Sequence, residues 1–342
     1  MTERITMAHG AGGGASRRLI EEVCLPRLGN DLLSPLSDAA LLNVDGARLA
    51  VTTDAFVVRP LRFPGGSIGG LAVHGTVNDL AVSGAEPVVL TAAFVLEDGL
   101  ALAVFADELD AMAKAAAAAG VRIVAGDTKV VEAGAADGLY VVTTGVGRQH
   151  ADPAPDPRRI EPGDVVIVSG PIADHGIAVL LAREDLGIDA AVRSDAASVW
   201  PLAEALIDGI GDGLRAMRDP TRGGVATTLN EFARSAGVAI EVDEAAVPVN
   251  GPTRGACELL GLDPLYVANE GCIVAVVLPD VADDALAALR AVRGGPAVAG
   301  GTGAVVIAEV LSGPSGRVTG RTTFGGRRII DLLAGDPLPR IC

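Results

Sequence analysis

The chain has 342 residues, 49% of them hydrophobic and 20% charged, and 27 basic residues face 43 acids for a net charge of −16. This composition excludes a disordered chain, and the acidity argues against non-specific binding of nucleic acid or of anionic membrane surfaces. No apolar run approaches the roughly 18 residues of a membrane span, and four scattered cysteines without a CxxC give neither a disulfide framework nor a structural zinc site.

In chain order, Ser16–Arg27 reads as a helix with Ser16 as its N-cap. Leu49–Val58, Val88–Leu96, Val121–Ala125 and Leu139–Gly147 are rich in β-branched residues and predict strands. Helical stretches lie between them at Ser67–Ser83 and Leu100–Ala119, the second closed by Gly120. Four prolines and mixed charges across 150–163 break both periodicities and read as a linker. Beyond it come strands near Val165–Ser169, Val238–Val242, Cys272–Leu278 and Ala304–Leu311. Helices alternate with them near Ala173–Glu184, Ser194–Asp208, Val225–Ala236 and Val281–Val292. The pattern predicts an α/β chain of the α+β type with an N-terminal domain over 1–149, a C-terminal α/β domain over 164–313 and a mobile tail over 314–342. Met1–Gly14 lacks a signal-peptide pattern, so the chain reads as cytoplasmic.

Four acids occupy places that ought to be apolar. Asp54 lies inside a strand, Asp79 follows Asn78 in mid-helix, Asp127 follows a strand in Gly126-Asp127-Thr128-Lys129, and Asp38 precedes Ala39-Ala40-Leu41-Leu42. Carboxylates in such settings are paired or bind a cation, and Mg²⁺ commonly joins carboxylates to substrate phosphates. The cluster His9-Gly10-Ala11-Gly12-Gly13-Gly14 reads equally as a flexible arm or as backbone amides that reach an anion. Asp219-Pro220-Thr221-Arg222-Gly223-Gly224 is a turn and helix cap or an anion-binding helix end. Ala268-Asn269-Glu270-Gly271 is a hairpin-like turn or a site loop. Among the 27 basic residues only Lys114 and Lys129 are lysines, which points to a need for a compact ammonium where they stand. Cys342 is the last residue, on a tail able to span roughly 50 Å from Gly326, as a carrier visiting two sites requires. Cys24, Cys257 and Cys272 sit in apolar patterns and read as core.

Taken together in order, the glycine cluster from His9, Gly75-Thr76-Val77-Asn78-Asp79-Leu80-Ala81, Gly126-Asp127-Thr128-Lys129, Asp219 to Gly224, Ala268 to Gly271 and terminal Pro339-Arg340-Ile341-Cys342 resemble the HypE family. These are the carbamoyl dehydratases of nickel–iron hydrogenase maturation. The middle motifs are shared with an ATP-binding superfamily that includes aminoimidazole ribonucleotide synthetase, selenophosphate synthetase and thiamine-monophosphate kinase, and the Pro-Arg-Ile-Cys end singles out HypE. The resemblance implies the two-domain fold of that synthetase, a homodimer formed through the N-terminal sheet, and a cleft for ATP and Mg²⁺. It implies that HypF carbamoylates Cys342, that ATP drives dehydration of the group to a thiocyanate, and that the HypC–HypD complex receives the cyano group. Asp38, Asp54, Asp79 and Asp127 become metal and ATP ligands, with His9, Gly10, Asn78, Thr128 and Arg222 as further ATP contacts. Glu270 and Lys129 become candidates for the base, Lys129 alternatively holding the γ-phosphate. One departure is Cys272, where relatives often carry a lysine after Asn-Glu-Gly. Alternative functions are a small-molecule ligase or kinase of the superfamily, or a passive carbamoyl carrier.

Overall fold

The computed structural model describes residues 4–10, 13–183, 186–188, 190–292, 303–333, 338 and 340–342. Ala11, Gly12, Glu184 and Pro339, named above, lie outside that set. The N-terminal helical segment begins as α1 (Gly14–Arg18), continues through a π-helical stretch at Leu19–Cys24 and ends as α2 (Leu25–Leu28). Its N-cap is Gly13 rather than Ser16, whose hydroxyl lies 3.4 Å from the Ala8 carbonyl.

Strands β1 (Ala40–Val44) and β2 (Ala47–Phe56) form a hairpin closed by Asp45 and Gly46, both at positive φ, which is the Asp-Gly signal for a two-residue turn. A short hairpin, β3 (Arg62–Phe63) and β4 (Gly66–Ser67), leads into α3 (Ile68–Val82). Then follow β5 (Ala85–Glu97), α4 (Leu102–Ala118), β6 (Arg122–Val131) and β7 (Leu139–Gln149). The sheet order is β1-β2-β7-β5-β6, antiparallel except for β5 and β6, which α4 joins as a crossover. Helix α3 packs on this sheet and brings mid-helix Asp79 towards β2.

The second sheet takes β8 (Val165–Val168), β9 (Leu214–Arg218), β10 (Ala239–Asp243), β11 (Val274–Val277), β12 (Val305–Leu311), β13 (Arg317–Arg321) and β14 (Arg327–Ile329) in the order β14-β13-β10-β12-β8-β11-β9. Helices α5 (Asp174–Arg183), α6 (Trp200–Ile210), α7 (Gly224–Ala236), α8 (Gly251–Leu260) and α9 (Ala282–Val292) cover it. Residues of β8 alternate between two cores: Val166 and Val168 pack with Ile177, Leu229 and Phe232, while Ile167 packs with Leu206 and Leu289. A strand buried on both faces reads as an unbroken apolar run, and Val165–Val168 does so. The first of these cores runs on into Phe56, Leu71 and Leu90 of the N-terminal half, so the halves share their interior.

Several expectations need correction. Strand β6 reaches Val131, so Gly126-Asp127-Thr128-Lys129 lies within a strand and does not follow one. Helix α6 starts at Trp200, six residues later than expected from Ser194. The segment assigned to a tail from 314 contributes β13 and the edge strand β14 to the sheet, and their arginine-rich sequences gave no apolar signal. Its far end is docked: Leu338 and Ile341 are buried, and the Val57 amide donates to the Cys342 carbonyl at 3.1 Å. No helix among the described residues is long and apolar enough to cross a membrane.

Candidate active site

A cleft of about 230 Å³ opens between β2, α3 and the start of α7, lined by Asp38, Asp54, Asp79, Asp219, Arg218, Arg222, Thr227, Thr228, Glu231, Glu270 and Cys342. Gly75 and Asp79, one helical turn apart on α3, face it together. Gly75 is required to be small, because a Cβ there would lie 2.7 Å from the Phe56 ring. Carboxylate oxygens of Asp38, Asp79 and Asp219 lie within 4.8 Å of one another. Thr52 Oγ1 stands 2.8 Å from both Asp79 Oδ2 and the Asp38 carbonyl, and Arg218 bridges Asp38 at 3.1 Å and Glu231.

Packing acids this closely is costly without a counter-cation. Burial first, then repulsion from Asp54, Asp219 and Asp38, lifts Asp79 well above the carboxylate range. Burial and then Asp38 and Asp54 push Asp219 to about 8. Burial also raises Asp54, which Arg222 opposes. Asp219 joins this cluster although Asp-Pro reads locally as a turn; its place beside Thr221-Arg222-Gly223-Gly224 is the available signal.

The motif at 219–224 turns the chain into α7 with Gly223 at φ +77 and Gly224 at φ +59. A Cβ on Gly224 would meet the Leu265 and Val267 carbonyls at 2.6 Å, so only glycine permits this entry. Thr227 and Thr228 near the start of α7 then face the cleft, alongside Arg222, whose Nη1 donates to the Gly10 carbonyl at 3.1 Å. That bond draws the N-terminal segment to the cleft rim; His9 itself pairs with Thr6 at 2.9 Å.

In Asn269-Glu270-Gly271 each residue has a separate task. Asn269 accepts from the Ala173 amide at 2.7 Å and donates to the Pro220 carbonyl at 2.8 Å, tying this loop to the 219–224 turn. The Asp195 carboxylate accepts from the Glu270 and Gly271 amides at 3.1 and 3.0 Å. Glu270 is left buried in the cleft wall, with no hydrogen-bond partner for Oε1. Burial, then Asp219, Asp195 and Asp54, raises its pKa well above the usual value. Cys272 turns the other way, into the core beside Ser169.

The tail reaches the same cleft. The Arg59 amide donates to the Arg340 carbonyl at 3.3 Å and Arg183 Nη2 donates to it at 2.6 Å. Fully buried His175 sits edge-on to Phe63, with Nδ1 2.8 Å from Ser194 Oγ and Nε2 2.9 Å from the Ile341 carbonyl. Burial lowers the His175 pKa from 6.5 to about 4, the Ile341 bond partly opposing it. Protonation therefore favours the unfolded chain, and stability that is complete above pH 6.5 falls as pH drops towards 4. The expected loss is about 2 kcal/mol by pH 5. Urea unfolding at pH 7 and pH 5 checks this: His175→Gln is expected to shrink the difference, and an unchanged difference refutes the assignment.

Other expected site residues lie elsewhere. Asn78 is fully buried away from the cleft; its Nδ2 donates to the carbonyls of Ala197 and Glu270 at 3.1 and 3.0 Å, and its Oδ1 accepts from the Val199 amide at 2.8 Å. With those bonds made it holds the Glu270 loop rather than a nucleotide. Asp127, Thr128 and Lys129 sit on the exposed edge strand β6, Asp127 paired with Lys129 at 2.8 Å, and none lines the cleft.

Comparison with known proteins gives the family and the fold. Family models match residues 36–149 as the AIR synthase related protein, N-terminal domain, and residues 161–320 as its C-terminal domain. Carbamoyl dehydratase HypE of Cupriavidus necator is 49% identical over 340 residues, covering 99% of this chain and 95% of that protein. A crystal structure of hydrogenase maturation protein HypE in complex with ATP superposes with a TM-score of 0.81 at 44% identity, over 99% of this chain and 100% of that one. The crystal structure of a HypE–HypF complex gives 0.84 at 43% identity, over 92% and 99%.

Proposed function

This chain belongs to the HypE family of carbamoyl dehydratases, and on that premise we propose how its residues carry out the reaction. The enzyme dehydrates an S-carbamoyl group to a thiocyanate with ATP, in the making of cyanide ligands for hydrogenase iron. The observation that carries the assignment to this chain's own end is Cys342 lining one cleft with Glu270, Arg222 and four aspartates.

The carboxamide oxygen attacks the γ-phosphorus and ADP leaves; one N–H proton is lost and the oxygen now carries the phosphoryl group. The C–O bond then breaks, inorganic phosphate departs with the electron pair, and loss of the second N–H proton completes C≡N. Glu270 takes the first proton and the departing phosphate the second: Glu270 Oε1 is buried without a hydrogen-bond partner, and its desolvated site makes the carboxylate a stronger base than in water. Arg222 and the first turn of α7 hold the phosphates, as a helix N-terminus favours anions. A second cavity of about 460 Å³, sharing Arg218 and Glu231 with the cleft, gives room for the nucleoside. The wall of acids fits a hard divalent cation, for it gathers oxygen ligands whose mutual repulsion a cation relieves. Asp38, Asp79 and Asp219, with Asp54 beside them, would hold Mg²⁺, which supplies charge neutralisation of the phosphates. Asp79→Asn is expected to raise the melting temperature of the ligand-free protein slightly and to weaken Mg-ATP binding at least tenfold by calorimetry; unchanged binding removes Asp79 from the site.

The expected ligands on β6 find a role in a homodimer formed through this sheet. Ile123, Val124 and Val130 leave the edge strand uncovered and apolar, and pairing two copies there carries Asp127, Thr128 and Lys129 of each towards the cleft of the other. Light scattering that returns a monomer at micromolar concentration removes this part. A HypF carbamoyltransferase charges the tail, a HypC–HypD complex takes the cyano group, and the work is done in the cytoplasm, where the four cysteines stay thiols.

Intact-protein mass spectrometry with HypF, carbamoyl phosphate, ATP and Mg²⁺ tests the reading. The C-terminal peptide should gain a carbamoyl group on Cys342 and lose one water only when ATP is hydrolysed. Adding HypC–HypD should then return it to the bare thiol. An adduct that never loses water makes the chain a carrier, and no adduct on Cys342 favours a small-molecule substrate.

A further inference from the structure

Asp137 stands outside the acid cleft, in the turn that enters β7, and contacts no part of the proposed machinery except the tail. Its Oδ2 accepts from Arg340 Nη1 at 2.7 Å and from Arg59 Nη1 at 3.1 Å. Arg340 also donates through Nε to the Val57 carbonyl at 3.0 Å and lies 5.9 Å from the centre of the Tyr140 ring. It is the only charged side chain among residues 337–342.

Other hydrogen bonds to the tail differ in kind. His175, Arg183 and the amides of Val57 and Arg59 bind main-chain carbonyls, which any tail sequence offers in any register. With the buried side chains of Leu338 and Ile341, the Arg340–Asp137 pair distinguishes one residue of the tail from its neighbours, and it is the ionic member of that set. It therefore helps to fix which residue reaches the cleft, two positions further on. The pair is also solvated, with Asp137 35% and Arg340 25% exposed. Ion pairs in water hold weakly and separate readily. A contact that is specific in register yet easily broken suits an end that must leave and return.

We propose that Asp137 is a positioning residue, a solvated latch that registers Cys342 in the cleft through Arg340 and opens to release the tail for charging. The proposal rests on Cys342 being the acceptor thiol. It requires the two half-reactions to respond differently when the latch is removed. Charging by the partner, which needs the tail outside, speeds up or holds; dehydration, which needs it inside, slows. Damage to the fold slows both. Because Asp137 is not on the tail, its replacement leaves the sequence that a carbamoyltransferase meets unchanged.

The experiment is pseudo-first-order alkylation of Cys342 by iodoacetamide in the full-length protein, followed by mass of the C-terminal peptide, for Asp137→Ala, Asp137→Asn and Asp137→Glu. Alanine and asparagine are expected to raise the rate about threefold to fivefold, the range open to an exposed ion pair, and glutamate to restore it to within about 1.5-fold. Asparagine keeps the shape of the turn, so it serves should alanine impair folding. Single-turnover dehydration of the carbamoylated Asp137→Asn protein at saturating ATP should fall by a similar factor, with ATP affinity unchanged. An alkylation rate unmoved in both Ala and Asn variants overturns the latch whatever the enzyme does. Faster alkylation alongside a parent protein that never dehydrates its adduct supports the latch and overturns the proposed function instead.

Discussion

Cys342→Ala is expected to abolish carbamoyl acceptance and dehydration outright while leaving Mg-ATP affinity within a few-fold of the parent. The two outcomes separate because the substitution touches only the thiol. The Cys342 carbonyl still receives the Val57 amide, Ile341 and Leu338 still bury their side chains, and His175 still holds the Ile341 carbonyl. The acids and Arg222 that line the cleft are untouched. Nor do the other thiols offer a detour: Cys272 is 1% exposed, and burial pushes Cys257, also 1% exposed, up to about 11, where little thiolate exists at neutral pH. Intact mass after incubation with the carbamoylating partner reads the first outcome and calorimetry the second. Lost ATP affinity would make Cys342 a structural element, and an adduct on Cys24 would move the acceptor altogether.

Glu270→Gln is expected to separate the half-reactions. Charging of Cys342 proceeds, because it happens on the extended tail, but the carbamoyl adduct then accumulates. The water-loss step should slow by ~10²-fold or more, the usual contribution of a positioned base. Glutamine keeps the volume, and the loop is held through its backbone by Asp195 and Asn78, so the cleft is expected to keep its shape. Removing a buried acid among Asp219, Asp195 and Asp54 also relieves repulsion, so the variant should melt no lower than the parent. Single-turnover mass spectrometry of the pre-charged protein measures the effect. A rate within about threefold of the parent transfers the base to another group, with Lys129 of a second copy the next to test.

The parts of this site that could be found in the sequence are those whose local pattern is improbable without a ligand. Asp54 in a strand and Asp79 in an apolar helix stand out because a carboxylate there demands compensation. Asp127 carries the same local signature, yet β6 is an edge strand and its acid is solvated beside Lys129. A strand's own residues do not report whether it is central or peripheral. Asp219 was hidden for the opposite reason, since Asp-Pro explains itself as a turn. Asn78 and Asn269 share motifs with functional neighbours, but their amides are consumed in joining segments 192 and 49 positions distant. The tail seat had no local trace at all: His175 meets Ile341 across 166 positions, and Asp137 meets Arg340 across 203. At the level of elements, the apolar strands and amphipathic helices were readable, whereas β13 and β14, built on arginine, threonine and glycine, derive their order from the sheet beside them.

A docked C-terminus has a kinetic meaning. When the acceptor thiol belongs to the catalyst, the concentration of substrate at the cleft is set by tail length and not by the cell. For a short flexible tether that is in the millimolar range. The second half-reaction then has no Michaelis constant for the carbamoyl group and is first order in charged protein. Free thiocarbamates compete only against that local concentration. Each copy turns over once per visit of the tail, and the nitrile stays covalently attached to sulfur until an acceptor takes it, so free cyanide never enters solution.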